Sequence, residues 1–509
     1  MFWSSMGDIP FGDPMREKFI LVIDIGTTNI KSIIFNGNVN IVSSSVQKIA
    51  AISSKQGEVE YEPLRIWDTV EEVITTSLRQ GGLAAKNIHA TGITNQRGTM
   101  VLWDRENGLP LCNAISWQDQ RTNSLCDELR KGDMDVLFCE RMGDHVSPAF
   151  SVTKLLWVLQ RIPNIRDRAS DGNLFFGTLD SWILWKLTGG RVHATDNSNA
   201  ASTHMVNRET QQWDNKILDR LDIPLSILPS IKPSNGFFGY ADPEILEGKV
   251  PIYSVMGDQQ ASLYGQACFE AGMAKCTYGT GSFVLMNIGE RAVPTARVAW
   301  TKEGGTTTFK LEGFAAATGS MLQWLFDEFL QVGTVDESEK MAFEAKGSKD
   351  ICVIPAFLGL QAPYYDSRAK GMIEGLTLDS KKEDIVRAFL ESTAYICRAI
   401  IEEMQDKSGV KLNQLRIDGR GSRNSFLAQF QADSLGVNVE RSALMESTAA
   451  GAAFMAGLSS DFWSSEEELG EMWKKDRVFS PVVSKKMRDR MYGKWSRIVN
   501  LALHREWGD

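Results

Sequence analysis

An aspartate that closes an apolar run, directly before a turn of small hydrogen-bond donors, has the makings of a phosphate and metal site. Asp24-Ile-Gly-Thr-Thr-Asn29 has that form. Gly26 lets backbone N–H groups approach phosphate oxygens, while the hydroxyls of Thr27 and Thr28 add donors before Asn29 resumes the chain. Asp24 stands where a carboxylate can hold Mg²⁺, directly or through water. A plain hairpin turn would look the same, so a second loop is needed. Gly279-Thr280-Gly281-Ser282 supplies it in the matching place of the second half. Two such turns facing each other would clamp a triphosphate. A third group, Asp258-Gln259-Gln260, follows the apolar run Ile252 to Met256 and Gly257. A carboxylate at a strand end beside an amide can take the proton of an attacking hydroxyl while the amide holds the alcohol. An N-cap aspartate would present the same pattern.

Several other chemistries are excluded. No G-x-x-x-x-G-K-[ST] loop occurs. Gly419-Arg-Gly-Ser-Arg-Asn424 lacks the third glycine of a dinucleotide fingerprint and comes late in the chain. The net charge of −9 is spread along 509 residues, which argues against nucleic-acid binding. Hydrophobic residues at 43% and charged ones at 23% are ordinary for a soluble enzyme of two or three domains. The seven cysteines form no C-x-x-C pair and the five histidines are not spaced with them as zinc ligands, so reduced thiols in the cytoplasm fit best. Met1 to Lys18 does not read as a secretory signal, and no apolar run is long enough to span a membrane.

The elements that must position these groups repeat. Phe19–Asp24, Ile30–Phe35 and Val39–Val46, with an Asn36-Gly37 turn, read as an antiparallel meander. A helix from about Pro63 to Leu78 and a strand from Ile88 to Thr94 follow. Gly272–Thr277, Phe283–Asn287 and Thr306–Leu311 repeat the meander. Thr318–Leu330 reads as a helix, Leu415–Asp418 as a strand, and Asn424–Leu435 as a helix. Ser484–Leu503 is a basic amphipathic helix with Met487, Met491, Trp495 and Ile498 on its apolar stripe, suited to packing on the second domain. The expected domains are residues 19–266 and 267–480, followed by a helical extension over 481–509.

Eight blocks carry a resemblance over roughly residues 19 to 480. They are Asp24-Ile-Gly-Thr-Thr28, Gly92-Ile-Thr-Asn-Gln-Arg97, Ala114-Ile-Ser-Trp-Gln-Asp119, Thr153-Lys-Leu-Leu-Trp157, Gly257-Asp-Gln-Gln260, Thr277-Tyr-Gly-Thr-Gly281, Gly359-Leu-Gln-Ala-Pro363 and Gly451-Ala-Ala-Phe-Met-Ala-Gly457. In this order they resemble the FGGY carbohydrate kinases, and within them the glycerol kinases. Ser43-Ser-Ser-Val-Gln-Lys48 and Phe176-Gly-Thr-Leu-Asp180 look closest to the divergent branch called glycerol kinase 5. The resemblance implies an α/β fold of two ribonuclease-H-like domains, of the actin/hexokinase type, around an ATP cleft. It implies ATP with Mg²⁺ as cofactors and a small polyol as substrate, and it leaves the oligomeric state open. By match, Asp258 is the catalytic base, Arg97 and Gln259 bind the polyol, and Trp117 walls its carbon backbone. Gly26, Thr27, Thr28, Asn29 and Thr280 belong to the phosphates, and Gly319, Gln323, Gly419, Arg420 and Asn424 to the ribose and base.

Three positions depart from the glycerol kinase pattern. Gly98 stands for a glutamate, Ala149 lies where a tyrosine is usual, and Arg420 replaces a glycine at the adenine site. The first two predict an enlarged pocket, better filled by a longer polyol or a ketose than by glycerol. A catalytically weak nucleotide-binding protein is the other alternative, which the paired Asp24 and Asp258 oppose.

Overall fold

The computed structural model describes residues 18–331, 334–345, 347 and 350–504. The N-terminal stretch read above for a secretory signal lies outside them, except Lys18. The chain divides into two compact units. Unit 1 gathers the described residues up to Ala261 with Thr301–Gly305 and Thr448–Met472, and unit 2 holds the rest. The segment 448–472 is thus claimed by unit 1, although the sequence suggested a single cut near 266.

In unit 1, β1 (Phe19–Ile25), β2 (Asn29–Phe35) and β3 (Ile41–Lys48) form the expected meander. Every residue of β1 is buried, as a strand covered on both faces requires. Helix α1 (Pro63–Gln80) starts on a proline, whose missing N–H would have no partner there anyway, and buries Ile66, Trp67, Val70, Val73 and Ile74. The chain continues through β4 (Ile88–Asn95), α2 (Met134–Met142), α3 (Ser151–Arg161) and β5 (Ile252–Gly257). The sheet order is β5-β4-β1-β2-β3, with β4 and β5 parallel to β1. Asp24 lies opposite Thr94, and Met256 opposite the same Thr94. The ends of β1, β4 and β5 therefore open on one edge, where the chain turns into the loops that carry the candidate residues.

Unit 2 repeats the plan. α4 (Asp258–Gly265) leads into β6 (Met273–Tyr278), β7 (Ser282–Gly289), β8 (Arg297–Thr301) and β9 (Thr307–Ala315). After α5 (Thr318–Trp324) and the long α6 (Lys382–Ser408) come β10 (Gln414–Asp418), α7 (Ser425–Leu435) and β11 (Val439–Ser442). α8 (Ser447–Ser459), β12 (Lys475–Phe479) and α9 (Lys485–Leu503) complete the chain. The sheet order is β8-β9-β7-β6-β10-β11-β12, with β6, β10 and β11 parallel.

There are three local differences from the sequence reading. The helix expected over Thr318–Leu330 is α-helical only to Trp324, and Leu325–Leu330 winds as a π turn. Strand β8 was not read from the sequence, which passed from Phe283–Asn287 directly to Thr306–Leu311. On α9 the buried residues are Trp495, Val499 and Ala502, while Met487 is exposed, so the fully buried stripe begins about two turns later than its pattern suggested. Trp495 Nε1 donates to the Val353 carbonyl (2.9 Å), which docks α9 on unit 2. Most of α8 belongs to unit 1, and there its backbone meets β4. A Cβ on Gly92 would stand 2.6 Å from the Ala452 carbonyl oxygen, so only glycine admits that approach. Among the described residues, no helix is long and apolar enough to cross a membrane.

Candidate active site

Unit 1 collects the acid and its neighbours on the open edge of its sheet. Asp258 opens α4 directly after β5, and Asp24 is the last residue but one of β1, two strands away in the sheet. Arg97 follows β4 between them, and its Nε lies 3.4 Å from Asp258 Oδ1. Gly257 makes room for that arginine, since a Cβ there would stand 2.7 Å from Arg97 Cγ. The Gln259 N–H donates to Asp258 Oδ1 (2.7 Å), fixing the carboxylate. β5 itself is pinned from below. The Gly257 N–H donates to Ser198 Oγ (2.9 Å), and Ser198 Oγ donates to Asp196 (3.0 Å). Asp196 also accepts from Ser234 and Asn199, and burial raises its carboxyl above the usual range.

The first glycine-threonine turn is held partly by residues the sequence reading did not single out. Gln96 donates to the Gly26 carbonyl (3.1 Å) and accepts from Thr27 Oγ1 (3.5 Å) and Thr99 Oγ1 (3.1 Å). Tyr61 OH donates to the Thr27 carbonyl (2.8 Å). Trp117 Nε1 donates to Thr27 Oγ1 (3.3 Å), so the aromatic wall and the turn are one assembly. The Gly26 N–H donates to the Asn29 carbonyl (2.9 Å), and the Thr28 carbonyl accepts from Ile49 (3.0 Å), closing the turn. Gln96 was within reach, because it sits inside the Gly92–Arg97 block. Tyr61 and Asp196 carried no motif.

The room expected over Gly98 is closed at its root. Gly98 has φ +72°, and a Cβ there would stand 2.8 Å from the Ala149 carbonyl oxygen. The loop bearing Ala149 is tied down by Lys154, a fully buried amine that donates to the carbonyls of Pro148 (2.6 Å) and Phe150 (3.3 Å). Burial lowers its pKa to about 7. The first carbon of any side chain at position 98 would therefore meet the Ala149 backbone.

Unit 2 carries a cavity of about 1100 Å³, lined among others by Thr280, Gly319, Gln323, Arg420 and Asn424. Gly319 and Ser320 N–H groups both donate to the Thr280 carbonyl (2.9 and 3.0 Å), joining α5 to the second glycine-threonine turn. The two backbones touch so closely that a Cβ on Gly319 would stand 2.1 Å from the Gly279 oxygen. Asn424 caps α7 through Oδ1, accepting from Leu427 (2.9 Å), and Gln323 bonds Asp327 (2.8 and 2.7 Å). Gly419 does not line the cavity. It has φ +82° and abuts Tyr278, a position only glycine fits.

Arg420 points its guanidinium at Asp336 (3.2 Å), with both side chains more than three-quarters exposed. An ion pair that exposed is worth ~0 to 1 kcal/mol. Arg420→Gly is therefore expected to change ATP affinity less than about tenfold, the equivalent of ~1.4 kcal/mol. Calorimetry with ATP checks this, and binding restored only by the glycine would mark the arginine as a block.

Two units with this strand order, each carrying a glycine-threonine turn after its first strand, define the actin/hexokinase-type kinase fold. The chain belongs to the FGGY family of carbohydrate kinases: the family's N-terminal domain matches residues 19–265 and its C-terminal domain residues 274–460. A glycerol kinase of Caldanaerobacter subterraneus is 43% identical over 97% of this chain and 99% of its own, and one from Alkaliphilus metalliredigens is 44% identical over 96% and 98%. The crystal structure of Plasmodium falciparum glycerol kinase with ADP matches with TM-score 0.91 at 31% identity, over 96% of this chain and 99% of that one. Gluconate kinase from Lactobacillus acidophilus, at 21% identity and TM-score 0.84 over 96% and 99%, shares the fold.

Proposed function

We propose that the chain transfers the γ-phosphoryl group of ATP to a terminal hydroxyl of glycerol, giving glycerol 3-phosphate and ADP. The observation that carries this reading is the strand-end Asp258, oriented by the Gln259 N–H and by Arg97 3.4 Å away, in a chain 43% identical to glycerol kinases over nearly its full length. Asp258 takes the hydroxyl proton as its oxygen attacks. Arg97 and Gln259 bind the neighbouring oxygens, and Trp117 covers the carbon backbone. In unit 2 the Thr280 hydroxyl offers a donor to phosphate oxygens at the edge of the cavity, and Gln323 and Asn424 border the remainder of the nucleotide. Asp24 offers a hard oxygen ligand at the end of β1, which suits Mg²⁺, and the ion would neutralise phosphate charge.

Glycerol rather than a longer acceptor is the reading that 43% identity to glycerol kinases favours. The Ala149 carbonyl, standing where the glutamate side chain would begin, supplies an acceptor for a hydroxyl in its place. Gly98→Glu is accordingly expected not to improve glycerol use, because left-handed backbone costs a side chain ~1 to 2 kcal/mol and the Ala149 carbonyl must move. A lower melting temperature with unchanged or higher KM for glycerol is the expected result; a tenfold lower KM would show that the site wants the glutamate. Coupled ADP release against a panel of polyols and ketoses tests the acceptor, and a ketose preferred over glycerol would overturn the reading.

A further inference from the structure

Away from these residues, the end of α2 brings together three ligand types that the sequence did not connect. Asp135 and Cys139 lie four apart on α2, hence on one face. Gly143 caps the helix in the left-handed conformation (φ +83°), and the reversal returns His145 over that face. His145 Nδ1 lies 2.8 Å from Asp135 Oδ2 and 3.3 Å from Cys139 Sγ, and the three donor atoms lie within 4.8 Å of one another. The second oxygen of Asp135 accepts from the Val146 N–H (2.9 Å), which fixes the carboxylate's direction.

The set looks like a Cys-His-acid nucleophile, but its geometry is wrong for one. A relay uses both ring nitrogens, acid on one and sulfur on the other. Here acid and sulfur converge on the same nitrogen, whose one proton cannot serve both. A cation can accept all three. With Zn–S about 2.3 Å and Zn–N about 2.0–2.1 Å, tetrahedral angles set sulfur and nitrogen about 3.5 Å apart, and nitrogen and oxygen about 3.3 Å. The donors already stand within about half an ångström of those separations.

We propose that Asp135, Cys139 and His145 form a binding site for a zinc-class divalent cation. One carboxylate oxygen, one thiolate and one imidazole nitrogen hold the ion, and water completes the tetrahedron. Sulfur and nitrogen ligands select against Mg²⁺ and Ca²⁺. Binding converts the Cys139 S–H to an S–metal bond and releases one proton to solvent. His145, three-quarters exposed, leaves the ion a path in. The six-residue separation of Cys139 and His145 does not read as a zinc pair in the sequence, and it is the turn at Gly143 that brings them together.

Untagged full-length protein, freed of metal with a chelator, would be titrated with Co²⁺ as a spectroscopic probe and then with Zn²⁺. One Co²⁺ per chain is expected, with a thiolate-to-cobalt absorption in the near ultraviolet and the visible bands of a tetrahedral ion, all abolished by Zn²⁺. C139S should remove the thiolate band, and H145A should weaken Zn²⁺ binding at least tenfold, with circular dichroism unchanged in both. Should C139S misfold, H145A, altered at an exposed side chain, carries the comparison. Absence of equimolar uptake, or uptake indifferent to both variants, would overturn the proposal.

Discussion

Asp258→Asn should bind ATP as the parent does and lose about 10²-fold or more in turnover, the scale of general-base catalysis. The substitution is nearly isosteric. Its amide oxygen still accepts from Gln259 N–H and still lies beside Arg97, so the β5–α4 junction keeps its form. The Arg97–Asp258 pair is partly exposed, and its loss as an ion pair costs little stability. What disappears is the lone basic oxygen that receives the proton. The unit 2 cavity lined by Thr280 and Gly319, proposed above for the nucleotide, is untouched. Steady-state kinetics with calorimetric ATP binding separates the two effects. Parental turnover in the variant would remove Asp258 from the base's role.

Gly319→Ala should do the opposite, leaving the acid intact and weakening ATP at least tenfold, or ~1.4 kcal/mol or more. The added methyl would stand 2.1 Å from the Gly279 oxygen and 3.5 Å from Thr280 Cα. Both neighbours are backbone, so the second glycine-threonine turn itself must move, and the Gly319 N–H to Thr280 carbonyl bond goes with it. Overpacking of this kind typically costs ~1 to 3 kcal/mol. ATP calorimetry and a thermal melt read both consequences. An unaltered ATP affinity would show that this junction does not shape the nucleotide site.

Both meanders were legible because hairpins are written locally: an Asn36-Gly37 turn, a Gly-Thr turn, and apolar runs of strand length. Asp258 and the two turns were legible for the same reason, each being a short motif at a strand end. What escaped were groups that act through the fold. Tyr61 reaches Thr27 across 34 positions, and Asp196 supports Gly257 through Ser198, neither within a motif. The positive φ of Gly98 and the carbonyl beside it belong to the loop's path, which residue types alone do not give. Cys139 and His145 are only six residues apart, yet their meeting depends on one left-handed glycine.

Glycerol-dependent ADP release, with the phosphorylated product identified by NMR, tests the central claim most directly. The account predicts ADP and glycerol 3-phosphate in equal amounts from the parent chain with ATP and Mg²⁺, and a collapse of both in Asp258→Asn. Glycerol-independent ADP release, or none with glycerol while a ketose or longer polyol is phosphorylated, would contradict it.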